Sequence, residues 1–247
     1  MPIHLYPYPG ADAPAAYEQL NLASDPDQHL EHLMFSLAPL KEARLLDIGA
    51  GSGYHAVRYA KHAALVFALE PDPRMLIQLH ARLAAGPCGN ISVLAADAEH
   101  ILLPDASIDI AIARFAYFFG TPACLPGLAE VKRVMADGGS LFVIDTDPAR
   151  GQVGELARQV YPSLFHPGYR REHEAFFRAQ GFAAYEVDTV LRLPSRSALS
   201  RVLRLDYPHL YDRLLTQVTG LELTYSLMVY HLLTQRAQRV ERYNQVD

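Results

Sequence analysis

Asp47-Ile48-Gly49-Ala50-Gly51-Ser52-Gly53 decides how the rest of the chain is read. Leu45-Leu46-Asp47-Ile48 reads as a strand that ends in glycines, and Gly53 to His62 as the helix after it. Glycines between a strand and a helix let the backbone turn sharply and come close to a ligand. The spacing is G-x-G-x-G. A dinucleotide fingerprint, G-x-G-x-x-G, needs its third glycine where this chain has Tyr54. Asp47 also precedes the first glycine by two residues, an unwelcome charge for a pyrophosphate. A ligand with an amino group in place of phosphates suits the turn better, because an acid can hold the amine directly or through water.

Outward from the turn, short apolar runs alternate with helical segments. Leu65 to Leu69, Ile91 to Ala95, Ile108 to Ala113 and Leu141 to Ile144 read as strands. Pro73 to Ala85 and Leu125 to Met135 read as helices, the second stopped by Asp137-Gly138-Gly139. This alternation predicts a parallel sheet covered by helices on both faces. After Pro148 the alternation stops. Residues 152–180 read as two helices split by His166-Pro167-Gly168, Ala183 to Leu193 as a strand, and 197–205 and 210–218 as helices. Leu221 to Leu233 reads as a last strand or a helix, and the tail from Gln235 is polar. Residues 1–40 read as a loop broken by Pro2, Pro7, Pro9 and Pro14, then a helix opened by Asp25-Pro26.

Two further acids stand at strand ends. Glu70 follows the second strand, where a carboxylate can accept both hydroxyls of a ribose. Asp97 follows the third strand in Ala95-Ala96-Asp97-Ala98, where an acid can accept an adenine amine and the next N–H can serve a ring nitrogen. With Leu45–Gly53, Ala68–Asp72, Ala95–Glu99, Ile108–Phe115 and Glu130–Gly139 in this order and spacing, the chain resembles the class I S-adenosylmethionine-dependent methyltransferases, in particular the small-molecule group called type 11. The resemblance covers roughly residues 40–148.

The resemblance implies an α/β, Rossmann-like seven-stranded sheet of order 3-2-1-4-5-7-6 with strand 7 antiparallel. It implies S-adenosyl-L-methionine as cofactor, with S-adenosyl-L-homocysteine as product. The expected layout is one domain over 1–247: an N-terminal arm or lid (1–40), a cofactor core (41–148), a helical cap insertion (149–180), the C-terminal part of the core (181–234) and a polar tail (235–247). Cofactor contacts are expected from Asp47, Gly49, Ala50, Gly51, Gly53, Glu70, Pro71, Asp97, Ala98 and Arg114. Many relatives fix the cofactor carboxylate with an arginine of the N-terminal helix, but this chain has no Arg or Lys before Lys41. Tyr17, Gln28, His29, His32, backbone amides or Arg114 remain as alternatives.

Methyl transfer from a sulfonium expels a neutral thioether, so holding the nucleophile in line supplies much of the catalysis. A base is needed only when the nucleophile must lose a proton. The acceptor is expected at the carboxyl ends of strands four and five, lined by Phe115, Tyr117, Phe118 and Tyr169, as O- or N-methylation of a small organic molecule. Tyr117, Asp145, His100, His166 and His173 are candidates for a base or an acceptor-orienting group. His166 and His173 read first as surface histidines. Asp145-Thr146-Asp147 lacks the carboxylate-and-asparagine pattern of a magnesium site, so no metal is expected.

Composition bounds the alternatives. Hydrophobic residues are 50% and charged residues 20%, which excludes wholesale disorder. The net charge of −5 disfavours a nucleic-acid partner held mainly by phosphate neutralisation. All of that charge sits in residues 1–40, which hold Asp12, Glu18, Asp25, Asp27 and Glu31 and no Lys or Arg. The remainder carries 22 charges of each sign. The arm also holds Tyr6, Tyr8 and Tyr17, which suits closure over a cationic ligand. Two cysteines, Cys88 and Cys124, and no span-length apolar run predict a cytoplasmic protein with no membrane partner. The text after strand four excludes the Asn/Asp-Pro-Pro-aromatic signature of nucleic-acid N-methyltransferases, and neither cysteine sits in an RNA cytosine C5-methyltransferase motif. A domain that binds the cofactor without transferring methyl, and less so a nicotinamide oxidoreductase, stay as alternatives. The sequence does not choose between monomer and homodimer.

Overall fold

The computed structural model describes residues 13–86, 89–207 and 209–234. Pro2, Tyr6, Pro7, Tyr8, Pro9, Cys88 and the tail from Gln235 lie outside the described residues. The strands are β1 Arg44–Ile48, β2 Leu65–Leu69, β3 Ile91–Leu94, β4 Ile108–Arg114, β5 Met135–Arg150, β6 Ala183–Arg192 and β7 Glu222–Leu233. The helices are α1 Ala13–Ala23, α2 His29–Leu37, α3 Tyr54–Tyr59, α4 Pro73–Ala84, α5 Leu125–Val134, α6 Gly151–Val160, α7 Tyr169–Ala179, α8 Arg196–Asp206 and α9 Tyr211–Gln217.

One seven-stranded sheet runs β3-β2-β1-β4-β5-β7-β6. β1 to β5 pair in parallel, and β7 lies antiparallel between β5 and β6. This is the order the resemblance implies. Successive side chains on a strand point to opposite faces, and here both faces are apolar, as a sheet covered on both sides requires. Leu45, Ile110, Ile112, Phe142 and Ile144 pack into one cluster, while Leu46, Ala111, Ala113, Leu141 and Val143 pack into the other. A third cluster joins Leu156, Leu199, Val202, Leu203 and Leu214 of α6, α8 and α9. No helix among the described residues is long and apolar enough to cross a membrane.

Three local expectations need correction. Residues 13–23 are helical, because Pro14 falls in the first turn of α1, where its missing N–H breaks no hydrogen bond. Asp25 does cap the next helix, but that helix starts at His29. Its two carboxylate oxygens accept from His29 N at 2.9 Å and Leu30 N at 3.0 Å, and Pro26 lies in the turn before. Asp137-Gly138-Gly139 is not a turn between helix and strand. α5 already ends at Val134, and the glycines sit inside β5, where the register against β4 shifts between Ile108 and Ile110 and Gly138 takes φ +77°. A bulge and a turn make the same demand for glycine, so the sequence does not separate them.

Candidate cofactor and acceptor site

β1, β2 and β4 all end at one edge of the sheet, and the glycine turn is hooked onto it. Gly49 N and Ala50 N both donate to the carbonyl of Leu69, the last residue of β2, at 2.8 and 3.0 Å. Gly49 and Gly51 take φ +72° and +56°. A Cβ on Gly49 would lie 2.5 Å from Cβ of Ala116, and one on Gly51 2.7 Å from the hydroxyl of Tyr17. Both the dihedrals and the space therefore demand glycine. α1 lies over the turn. Arg82 of α4 donates to the carbonyl of Ser52 at 2.8 Å and pairs with Glu18, which fixes the face of α1 that carries Tyr17.

Two acids stand behind the turn. Glu70 is 5% exposed. It accepts from Gly51 N and Asp72 N, each at 2.8 Å, and so ties the turn to the end of β2. Burial raises its pKa above the usual carboxylate range. Asp47 is 3% exposed, and its Oδ2 has no hydrogen-bond partner. Desolvation pushes its carboxyl up to about 7, against the opposing pull of Arg114. An unpartnered buried carboxylate is costly, and a cationic group brought to it restores what burial removed. Burial, with Glu70, Asp47 and Asp206 close by, likewise pushes the Tyr17 hydroxyl up to about 12.

The remaining expected cofactor residues lie along the same edge. Pro71 follows Glu70, and Ala98 is buried after β3. Asp97 is exposed and accepts from Glu99 N and pairs with the His100 ring, both at 2.9 Å. That pairing raises the pKa of His100. Arg114 closes β4 with its guanidinium carbon 5.7 Å from the Phe115 ring centre, and forms no ion pair with a described residue. Gln28 caps α2 and His32 lies in its first turn, while His29 Nδ1 bonds to the main-chain oxygen of Asp188 at 3.0 Å.

Past β4 the chain takes φ +53° at Phe115 and +55° at Tyr117, rare for side chains of that size. Phe115 stacks on Tyr225 of β7 at 6.4 Å, and Tyr225 shares a 2.9 Å hydrogen bond with Thr146. The Tyr117 hydroxyl points the other way: it donates to Glu99 at 3.0 Å and accepts from Gly127 N at 3.0 Å. Phe118 is 2% exposed and packs in the core with Cys124 and Leu128. Asp145, inside β5 rather than at its end, accepts from the Tyr169 hydroxyl at 3.0 Å, and His173 Nε2 lies 3.4 Å from the same oxygen. His173 Nδ1 meets the Tyr230 hydroxyl at 3.0 Å. His173 is thus buried, contrary to its reading as a surface histidine, because α7 lays its apolar face on β5 and β7. His166 is exposed and stands 3.7 Å from Glu172.

Sequence reasoning missed Asp206 and Tyr225. Asp206 ends α8, and the residue is partly covered. Desolvation pushes its carboxyl up to about 7. An acid at the end of an amphipathic helix carries no motif, and a tyrosine in an apolar strand reads as core.

A methyltransferase-domain family model matches residues 45–139. Residues 45–139 thus match a methyltransferase domain, on a fold shared with solved methyltransferases. Such a domain uses S-adenosylmethionine. Over 132 residues the chain is 27% identical to a tRNA U34 carboxymethyltransferase of Saccharophagus degradans, covering 53% of this chain and 40% of that protein. Over 122 residues it is 34% identical to an uncharacterized methyltransferase of Mycobacterium tuberculosis, covering 49% and 47%. The chain thus spans less than half the length of these two curated relatives. Among solved structures, the YcgJ protein of Bacillus subtilis superposes with a TM-score of 0.61 at 18% identity, covering 85% of this chain and 100% of that one. A SAM-dependent methyltransferase from Aquifex aeolicus gives 0.57 at 18% identity, covering 89% and 98%. At that identity the likeness extends to the fold. The residues at the methyltransferase edge fit the cofactor's chemistry: the orphaned Asp47 oxygen suits an amine, and the bare backbone of the glycine turn admits a close ligand.

Proposed function

We propose that the chain transfers the methyl group of S-adenosylmethionine to a small organic acceptor by in-line displacement at oxygen or nitrogen. The observation that carries this is the buried Asp47 oxygen without a partner, set behind a positive-φ glycine turn in a methyltransferase domain. When bound, the cofactor supplies an electrophilic methyl on a sulfonium whose leaving group is a neutral thioether. Asp47 would hold its amino group, Arg114 its carboxylate, and Glu70 its ribose through lone pairs not used by Gly51 and Asp72. Asp97 and Ala98 stand where adenine is expected. Tyr17 closes the cleft from above and keeps water from the reacting carbon.

The acceptor enters beside Phe115, Tyr225 and Thr146. Asp145 is engaged by Tyr169 and His173, and Tyr117 by Glu99 and Gly127, so their polar groups are spent on holding the cap and α5 in place. Proximity and orientation then carry most of the rate. The likeness to tRNA carboxymethyltransferases raises a nucleic-acid acceptor. The net charge of −5 favours a small molecule instead. Cysteine use and the absence of a span-length apolar run in the sequence support a cytoplasmic setting. Incubation with S-adenosylmethionine and a metabolite library, with mass detection, is expected to show a product heavier by one methylene. Transfer to bulk tRNA but to no metabolite would overturn the small-acceptor reading. Cofactor binding with transfer to neither would mark a silent binding domain.

A further inference from the structure

Four buried side-chain atoms among the described residues have no hydrogen-bond partner: Asp47 Oδ2, His55 Nδ1, the Tyr59 hydroxyl and His173 Nε2. His173 belongs to the Asp145 cluster already described. The other three lie on one side of the sheet, behind the glycine turn. Asp47 is flanked across the ladder by Ala68 of β2 and Ile112 of β4. Both belong to the core cluster that holds Ala56 and Tyr59 of α3, and so does Leu45, two residues back on the same face of β1. His55 precedes Tyr59 by one helical turn, so the two share a face of α3. Their rings stack with centres 5.9 Å apart. Phe35 of α2 meets the Tyr59 ring edge-on at 5.9 Å and closes the far side. Asp47 and Tyr59 are 3% and 1% exposed, so bulk water does not serve them. Polar groups buried without partners are costly, and natural proteins satisfy nearly all of them.

We infer that Asp47, His55 and Tyr59 hold one ordered water between them, and that this water fixes the Asp47 carboxylate for the cofactor's amino group. His55 and Tyr59 are then positioning residues, acting through Asp47. The inference rests on the methyl-transfer reading and adds two residues to its cofactor site. The donor set suits water. The carboxylate accepts, the phenol hydroxyl donates and accepts, and Nδ1 of a neutral imidazole does one or the other by tautomer. A water has two donors and two lone pairs, so it serves all three in either tautomer, and buried waters make about three such bonds. Asp47 Oδ2 has two lone pairs, one for the water and one for the ammonium. Removing an anchor of the water leaves the carboxylate free to turn, and the cost falls on ligands that carry the amine.

The first test is a crystal structure of the full chain with S-adenosylhomocysteine, at a resolution that shows ordered water. One water within about 3.2 Å of Asp47 Oδ2, His55 Nδ1 and the Tyr59 hydroxyl is expected. No water shared by the three overturns the inference, even if variants fail to fold. The second test is calorimetry with S-adenosylhomocysteine and its analogue lacking the α-amino group. Tyr59→Phe is expected to weaken the first about 5- to 10-fold and the second less than about 2-fold. His55→Leu should act alike, and His55→Asn, which returns a polar atom near the place of Nδ1, should recover part of the loss. Equal weakening of both ligands would mark a merely structural role and overturn the inference. So would unchanged affinity for S-adenosylhomocysteine in Tyr59→Phe, with the methyl-transfer reading left intact. If the wild-type chain binds no S-adenosylhomocysteine, that reading falls first and the inference with it.

Discussion

Glu70 shows how much one side chain carries here. Its two oxygens serve two backbone N–H groups, so Glu70→Gln must turn an amide NH2 toward one of them. A buried donor left unpaired costs about 1–3 kcal/mol. We expect that loss in urea unfolding and a roughly 10-fold weaker affinity for S-adenosylhomocysteine by calorimetry. Tyr117→Phe should behave differently. It strands Gly127 N and should lower stability by about 1–2 kcal/mol while leaving cofactor affinity unchanged. A weakened cofactor affinity would return that hydroxyl to the cleft. The glycines and Glu70 are legible in the sequence because a positive φ and a buried acid at a strand end leave few residue types possible. The direction of Tyr117 is not legible. It is set by left-handed backbone at Phe115 and Tyr117, which no propensity predicts for aromatic residues.

At the scale of elements, apolar runs placed β1 to β4 and the middle of β5, and alternation placed β6, while the stretch that forms β7 reads equally as a strand or a helix. What such patterning missed is where polar punctuation serves two purposes. Gly138 reads as a helix stop and is a bulge inside β5; Pro14 reads as a breaker and opens α1. Gly154 marks another contact hidden from sequence. It lets α6 pack on the end of β5, and a Cβ there would lie 2.3 Å from the main-chain oxygen of Asp147 and 3.2 Å from Pro148. Backbone cannot swing aside as a side chain can. Gly154→Ala should therefore cost about 2 kcal/mol or more in urea unfolding. A neutral result would mean that α6 sits further from β5 than described.

Across the whole molecule, charge links stability to the ligand. Asp47 and Asp206 each titrate near about 7 when folded, against 3.8 for an ordinary aspartate. Both therefore bind a proton more tightly in the folded chain. Their contribution is complete below about pH 4, is lost as pH rises toward 7, and is level above that. His55 and His231, lowered by burial, act with the opposite sign. They cancel when wild type is compared with the double variant Asp47→Asn/Asp206→Asn. In the ligand-free state that variant should gain on wild type steadily from pH 4 to 7, and a constant difference would mean that neither acid is desolvated. The most direct test is isothermal calorimetry of the full chain with S-adenosylmethionine, S-adenosylhomocysteine and NADH. The account predicts saturable binding of the first two, weakened at least 10-fold by Asp47→Ala, and none of NADH. Binding of NADH, with neither of the others binding at millimolar concentration, would contradict it.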